Sequence, residues 1–145
     1  LEETSSKIIE IYNDFDQTIS YKQDNSPLTK ADIASHHLID SCLKSISSYP
    51  VISEESEKFY TTAQKYWLVD PLDGTKEFIN KTGEFTVNIA YIQNGTPTHG
   101  VVYAPAIKRL FSTDQNGKSY ETIKLSANLK SSKPSWDIFE IKLPL

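Results

Sequence analysis

Two aspartates three residues apart, Asp70 and Asp73, lie in the densest run of chemistry-bearing residues in the chain, Tyr66-Trp67-Leu68-Val69-Asp70-Pro71-Leu72-Asp73-Gly74-Thr75-Lys76-Glu77-Phe78-Ile79. By residue type this is an apolar strand that stops on a carboxylate, a tight turn in which Pro71 fixes φ, and the start of a helix. Carboxylates at that spacing can bracket one point, and such a pair suits a hard divalent cation. Gly74 and Thr75 then open the helix, where unpaired N–H groups and the helix dipole favour an anion such as phosphate. The same letters also read as an ordinary Pro-x-Asp-Gly turn with Asp73 as a helix cap, and the fragment alone does not choose between the two.

Two better-known aspartate motifs are excluded by spacing. An EF-hand needs the Asp-x-Asp-x-Asp-Gly register and a closing Glu, and neither is present. The phosphatases that form an aspartyl-phosphate carry Asp-x-Asp-Gly-Thr, one residue shorter than Asp70-Pro71-Leu72-Asp73-Gly74-Thr75. The extra residue changes which way the first carboxylate points, so it should not act as a nucleophile opposite the second. Upstream, Val51-Ile52-Ser53-Glu54-Glu55-Ser56 is another short apolar strand ending on carboxylates, while Asp24 and Asp32 flank a helix start. Taken singly, Glu54-Glu55 reads as a solvated loop pair and Asp32 as a first-turn helix acid.

The elements that must position these groups follow from periodicity. Ile8, Ile9, Tyr12, Phe15 and Ile19 recur at helical spacing, which predicts a first helix over residues 4–22. Gln23 to Pro27 is a cluster of turn formers. A second helix is expected from Thr29 to Ser48, carrying Ile33, His37, Leu38, Ser41, Cys42 and Ile46 on its apolar stripe and starting at Thr29 and Asp32. Short β-like runs follow at 51–52, 66–69, 85–92, 100–103 and 110–111, with Asn94-Gly95 as a hairpin signal. The expected fold class is α+β, with two N-terminal helices packed on one face of a largely antiparallel sheet.

Composition narrows the rest. A chain of 145 residues is one domain's worth, and its net charge of −4 with no basic cluster argues against nucleic acid and anionic membranes as partners. No run reaches the ~18 apolar residues of a membrane span, and no leader precedes the helical pattern. The single cysteine, Cys42, is expected to be a small buried hydrophobe, and with no disulfide possible within the chain the expected compartment is the cytoplasm. The chain has no Met and opens directly into a helical pattern, so the native start is expected upstream of Leu1. His36, His37 and His99 lack Cys or His partners at ligand spacing and read as surface or packing residues, and Trp67 as core.

Taken in order, Asp24-Asn25-Ser26-Pro27-Leu28-Thr29-Lys30-Ala31-Asp32, Ser53-Glu54-Glu55-Ser56 and Trp67 to Phe78 resemble the N-terminal motifs of the inositol monophosphatase superfamily, metal-dependent phosphomonoesterases. Lys76-Glu77-Phe78, Gly83 to Ala90 and Gly100-Val101-Val102-Tyr103-Ala104-Pro105 are most similar to its 3′(2′),5′-bisphosphate nucleotidase branch. That resemblance implies that Glu54, Asp70, Asp73 and the main-chain carbonyl of Leu72 bind Mg2+. It implies that Thr75 and Asp32 orient and deprotonate the attacking water, and that the N–H groups of Gly74 and Thr75 hold the substrate phosphate, with Asp24 in a supporting position. The substrate implied is a small phosphate ester, a nucleoside bisphosphate such as 3′-phosphoadenosine 5′-phosphate. The alternatives are an inositol or sugar phosphate, or a truncated domain that binds metal and phosphate without turnover.

The resemblance covers roughly residues 5–125, which sets the expected organisation: a metal- and phosphate-binding domain over 1–125 and a divergent tail over 126–145. Superfamily members are about twice as long, and the C-terminal domain that brings their further metal-binding aspartate is expected to be absent. Trp136-Asp137 is followed by Ile138-Phe139-Glu140 where small residues are expected, and reads as a coincidence. An uncovered apolar face would favour self-association.

Overall fold

The computed structural model describes residues 2–14, 19–57, 60–114 and 116–123. Two helices, α1 (Glu2–Asn13) and α2 (Lys30–Ile46), lie on one face of a six-stranded sheet. The strands are β3 (Val51–Ser53), β4 (Lys65–Asp73), β5 (Thr86–Gln93), β6 (Thr96–Ala104), β7 (Arg109–Thr113) and β8 (Ser119–Ile123), adjacent in chain order. Only the β3–β4 pairing is parallel; the other four are antiparallel. A hairpin of β1 (Ile19–Tyr21) and β2 (Pro27–Thr29) precedes α2, and the short helix α3 (Thr75–Ile79) follows β4. The α+β architecture read from the sequence is the one observed.

Three local expectations are corrected. The first helix stops at Asn13 rather than running to 22, and Ile19 pairs with Thr29 in the hairpin. Ile19-Ser20-Tyr21 is a β-branched and aromatic triplet, and Asn25 takes the positive φ (64°) that lets the chain reverse before Pro27. Phe15, expected on the helical stripe, lies outside the described residues, as do the tail after Ser126 and Trp136-Asp137. On α2 the buried face is Ala31, Asp32, Ser35, Ile39 and Leu43, while Ile33, Cys42 and Ile46 are exposed. Small residues at 31 and 35 let the helix approach closely, a seam that a hydrophobicity count passes over. β8, Ser119-Tyr120-Glu121-Thr122-Ile123, is an addition to the expected strands.

α2 starts where its cap requires. Thr29 is extended, its Oγ1 accepts from the Ala31 N–H at 3.1 Å, and Asp32 Oδ2 accepts from the Thr29 N–H at 2.7 Å. This reciprocal box satisfies N–H groups that helix ends otherwise leave open. The core between helices and sheet holds Ile8, Ile39, Leu43, Trp67, Val69, Val87 and Tyr91, with Phe78 and Phe85 stacked edge-on at 5.0 Å between centroids. Because strand side chains alternate, Trp67 and Val69 facing this core put Leu68 and Asp70 on the opposite face, and Val87 and Tyr91 do the same for Asn88 and Ala90. Leu68 and Val102 are 46% and 41% exposed there.

Candidate metal and phosphate site

The site is built at an irregularity in β4. Asp70 is registered with Asn88 and Asp73 with Thr86, so three steps along β4 match two along β5. One extra residue has been inserted, the definition of a β-bulge. In a regular strand, residues three apart face opposite sides; across the bulge, Asp70 and Asp73 oppose residues that share one face of β5. Pro71 lacks an N–H to donate to the ladder, and bulges accommodate that loss. The Leu72 N–H turns back to Asp70 Oδ1 at 3.2 Å, and Asn88 Nδ2 donates to Asp73 Oδ2 at 3.2 Å. The expected tight turn is therefore a continuation of the strand.

Glu54, just past β3, reaches the same place because the parallel register sets Ser53 beside Val69 and the Glu54 N–H bonds to the Val69 carbonyl at 3.0 Å. Burial, together with the charges of Glu54 and Asp73, pushes the Asp70 carboxyl up to about 7. Like charges are thus crowded at a partly desolvated point. Lys22, from the β1–β2 hairpin, meets Glu54 Oε1 at 2.6 Å and Glu55 Oε1 at 2.7 Å. Burial lowers the pKa of its ammonium, but hydrogen bonds to Glu54 and Glu55 outweigh that and leave it above the ordinary lysine value. Burial raises the Glu55 carboxyl, opposed by Lys22.

Asp32 is 1% exposed at the base of the site. Its Oδ2 accepts from the Thr29 N–H and from Thr29 Oγ1 at 2.6 Å, while its Oδ1 accepts from Thr75 Oγ1 at 3.1 Å. Thr75 Oγ1 also lies 3.2 Å from the Leu72 carbonyl oxygen, so one hydroxyl is held between two acceptors. Gly74 precedes α3 with φ +87°, and a Cβ there would stand 2.7 Å from the Glu84 carbonyl oxygen. Only glycine fits both the backbone and the space. α3 has five residues, so its N-terminal N–H groups matter individually and a helix dipole contributes little.

Asp24 behaves as a turn residue. Its Oδ1 accepts from the Ser26 N–H at 3.0 Å and Ser26 Oγ at 2.7 Å, which hold its carboxyl below the usual range. His36 Nδ1 lies 2.9 Å from Ser53 Oγ under the Glu54 turn. Lys22, Asn88 and the His36–Ser53 pair were not singled out from sequence. Asn88 alone carried a signal, a polar amide inside the strand text Thr86-Val87-Asn88-Ile89.

Three carboxylates and a main-chain carbonyl are hard oxygen donors, the kind magnesium takes, and the raised Asp70 carboxyl marks a negative potential that a cation would relieve. The residues fit the ion in chemistry and charge. Their side chains do not converge on a single point: among the described residues no three His, Cys, Asp or Glu side chains are gathered to hold a metal, and Glu54 is engaged by Lys22.

The site thus sets carboxylates at a bulge beside a buried Asp–Thr pair on an α+β sheet. The chain belongs to the inositol monophosphatase family, whose profile matches residues 2–141, past the residue 125 at which the motif resemblance ends. It is 51% identical over 104 residues to the 3′(2′),5′-bisphosphate nucleotidases CysQ of Salmonella typhimurium and Escherichia coli, covering 69% of this chain and 42% of each relative. Among solved structures, CysQ of Bacteroides thetaiotaomicron matches with a TM-score of 0.73 and 37% identity over 95% of this chain and 51% of that one. The extragenic suppressor protein suhB of Bartonella henselae gives a TM-score of 0.75 at 25% identity, over 82% of this chain and 47% of that one. The match thus covers 42% of the length of the Salmonella typhimurium and Escherichia coli relatives. Among the described residues no helix is long and apolar enough to cross a membrane.

Proposed function

We propose that this chain carries the metal- and phosphate-handling half of a Mg2+-dependent 3′(2′),5′-bisphosphate nucleotidase, which converts 3′-phosphoadenosine 5′-phosphate to AMP and phosphate. The observation that carries it is the bulge that turns Asp70 and Asp73 to one side of the sheet beside Glu54, with Thr75 bonded to a buried Asp32. Glu54, Asp70, Asp73 and the Leu72 carbonyl are the residues that would hold magnesium, Glu54 exchanging its ion pair with Lys22 for the cation. Bound there, the ion would lower the pKa of water and stabilise charge on the phosphoryl and leaving oxygens.

The protein's own groups do the rest. Thr75 Oγ1 orients the attacking water and passes its proton to Asp32, whose Oδ1 already faces it. The Gly74 and Thr75 N–H groups hold the phosphate where a side chain on residue 74 would intrude. No covalent enzyme intermediate is required. In this reading residues 1–125 form the metal- and phosphate-binding domain, followed by a divergent tail over 126–145. The solvent-accessible thiol of Cys42 is compatible with a reducing cytoplasm. Nucleic acid is not a partner in this reading, and the exposed Leu68 and Val102 face is a surface for self-association.

Phosphate release from 3′-phosphoadenosine 5′-phosphate and from inositol 1-phosphate, each with Mg2+ and with excess chelator, tests the reading. It expects metal-dependent turnover that favours the nucleotide. Preference for the inositol ester would move the chain to a neighbouring branch, and saturable metal binding without turnover would make it a binding domain only.

A further inference from the structure

We infer that Asn88 is a positioning residue for the cation site, an inference that rests on the metal-binding reading above. Two observations carry it. Asn88 Nδ2 donates to Asp73 Oδ2 at 3.2 Å, which fixes one carboxylate oxygen and leaves the other free to ligate. Asn88 Oδ1 is buried and has no hydrogen-bond partner among the described residues. A buried acceptor left without a donor is costly, and each such group calls for an explanation.

The location supplies one. Asn88 is registered directly opposite Asp70 and, with Asp70 and Glu54, lines a shallow depression of about 500 Å³ on the sheet face away from the helices. The charged groups lining that wall are the Glu54 and Asp70 carboxyls, and no protein donor among the described residues reaches Oδ1. Magnesium dehydrates reluctantly and keeps several waters, each of which donates hydrogen bonds. A water of a bound cation's hydration shell would supply the donor that Oδ1 lacks. An amide can do both jobs at this position: its N–H end restrains Asp73, and its oxygen would accept from the hydrated ion. An aspartate here would repel Asp73, and a leucine would leave it unrestrained.

The test is equilibrium binding of Mn2+ as a spectroscopic stand-in for magnesium, read as free Mn2+ by electron paramagnetic resonance on the full chain. Wild type is compared with Asn88→Leu, which keeps the volume and removes both polar atoms, and with Asn88→Ala, in case leucine disturbs the strand. Supporting groups of this kind contribute about 10–100-fold in metal affinity. The expected result is at least about a tenfold rise in the Mn2+ Kd in both variants, with the metal-free melting temperature of Asn88→Leu equal to or above that of wild type. Unchanged Kd in the variants overturns the inference and leaves the metal site standing. Weakened binding in Asn88→Ala that Asn88→Leu restores would show a packing role and also overturn it. Absence of Mn2+ binding in wild type removes the metal-binding reading, and this inference with it.

Discussion

Asp70 and Asp73 are three residues apart on one strand and yet oppose Asn88 and Thr86, which lie on the same face of the neighbouring strand. The relationship depends wholly on one inserted residue. Without it, strict alternation would send one carboxylate toward Trp67 and Val69 in the core, where an unpaired charge is prohibitively costly. The bulge is therefore both the geometric origin of the site and a source of strain, since it crowds charges that the metal-free chain neutralises only at Glu54 and Glu55, through Lys22.

That crowding gives a pH signature. With the Asp70 carboxyl raised from 3.8 to about 7, the folded chain holds this proton more tightly than the unfolded chain does. The associated stability is fully present below about pH 4 and is lost as pH rises through 7. Melting curves of metal-free protein should therefore contain a component from this site that falls between those limits and then levels. Asp70→Asn should remove it and melt higher than wild type at pH 8. Magnesium should bind more weakly below pH 7, because Asp70 must lose its proton to ligate. A variant that melts below wild type at pH 8 would contradict this.

The Thr75–Asp32 bond predicts a different outcome for a nearly isosteric change. Thr75→Val removes the hydroxyl from a partly buried position without opening a cavity. Positioned proton transfer is worth about 10²–10⁴-fold, so phosphate release should fall by at least about a hundredfold. Thr75→Ser should retain most of the activity. The comparison is made on initial rates at saturating Mg2+, and equal rates for valine and threonine would remove the proton path.

Gly74→Ala should be destabilising well beyond a surface substitution. A left-handed backbone costs an alanine about 1–2 kcal/mol, and the 2.7 Å approach to the Glu84 carbonyl demands a further shift. Urea denaturation should show a lower midpoint by an amount equivalent to at least about 2 kcal/mol. A midpoint within error of wild type would mean that the loop relaxes freely.

What the sequence made legible follows from how local each signal is. Thr29 and Asp32 declared the start of α2 because a capping box lies within four residues, and Asn94-Gly95 declared its hairpin for the same reason, with both residues at positive φ. Asp70 and Asp73 stand out by type and spacing, whereas Glu54 is singled out only by the resemblance, and the structure brings the three to one region. What could not be read was long-range. Lys22 meets Glu54 across 32 residues of sequence, and no local pattern specifies that pairing. The buried face of α2 differs from the expected stripe because apolar residues occur all round this helix, and Ala31, Ser35, Ile39 and Leu43, rather than Ile33, Cys42 and Ile46, are the ones that pack. The bulge itself was read as a turn, since Pro71 marks either one.

In the proposed function Glu54, Asp70 and Asp73 together hold a divalent cation. Calorimetric titration of Mg2+ into the metal-free chain at pH 8, beside Asp70→Asn, tests it most directly. The expected result is saturable binding to wild type that weakens at least about tenfold in the variant. Saturable binding of equal affinity in both, or none in either, would contradict it.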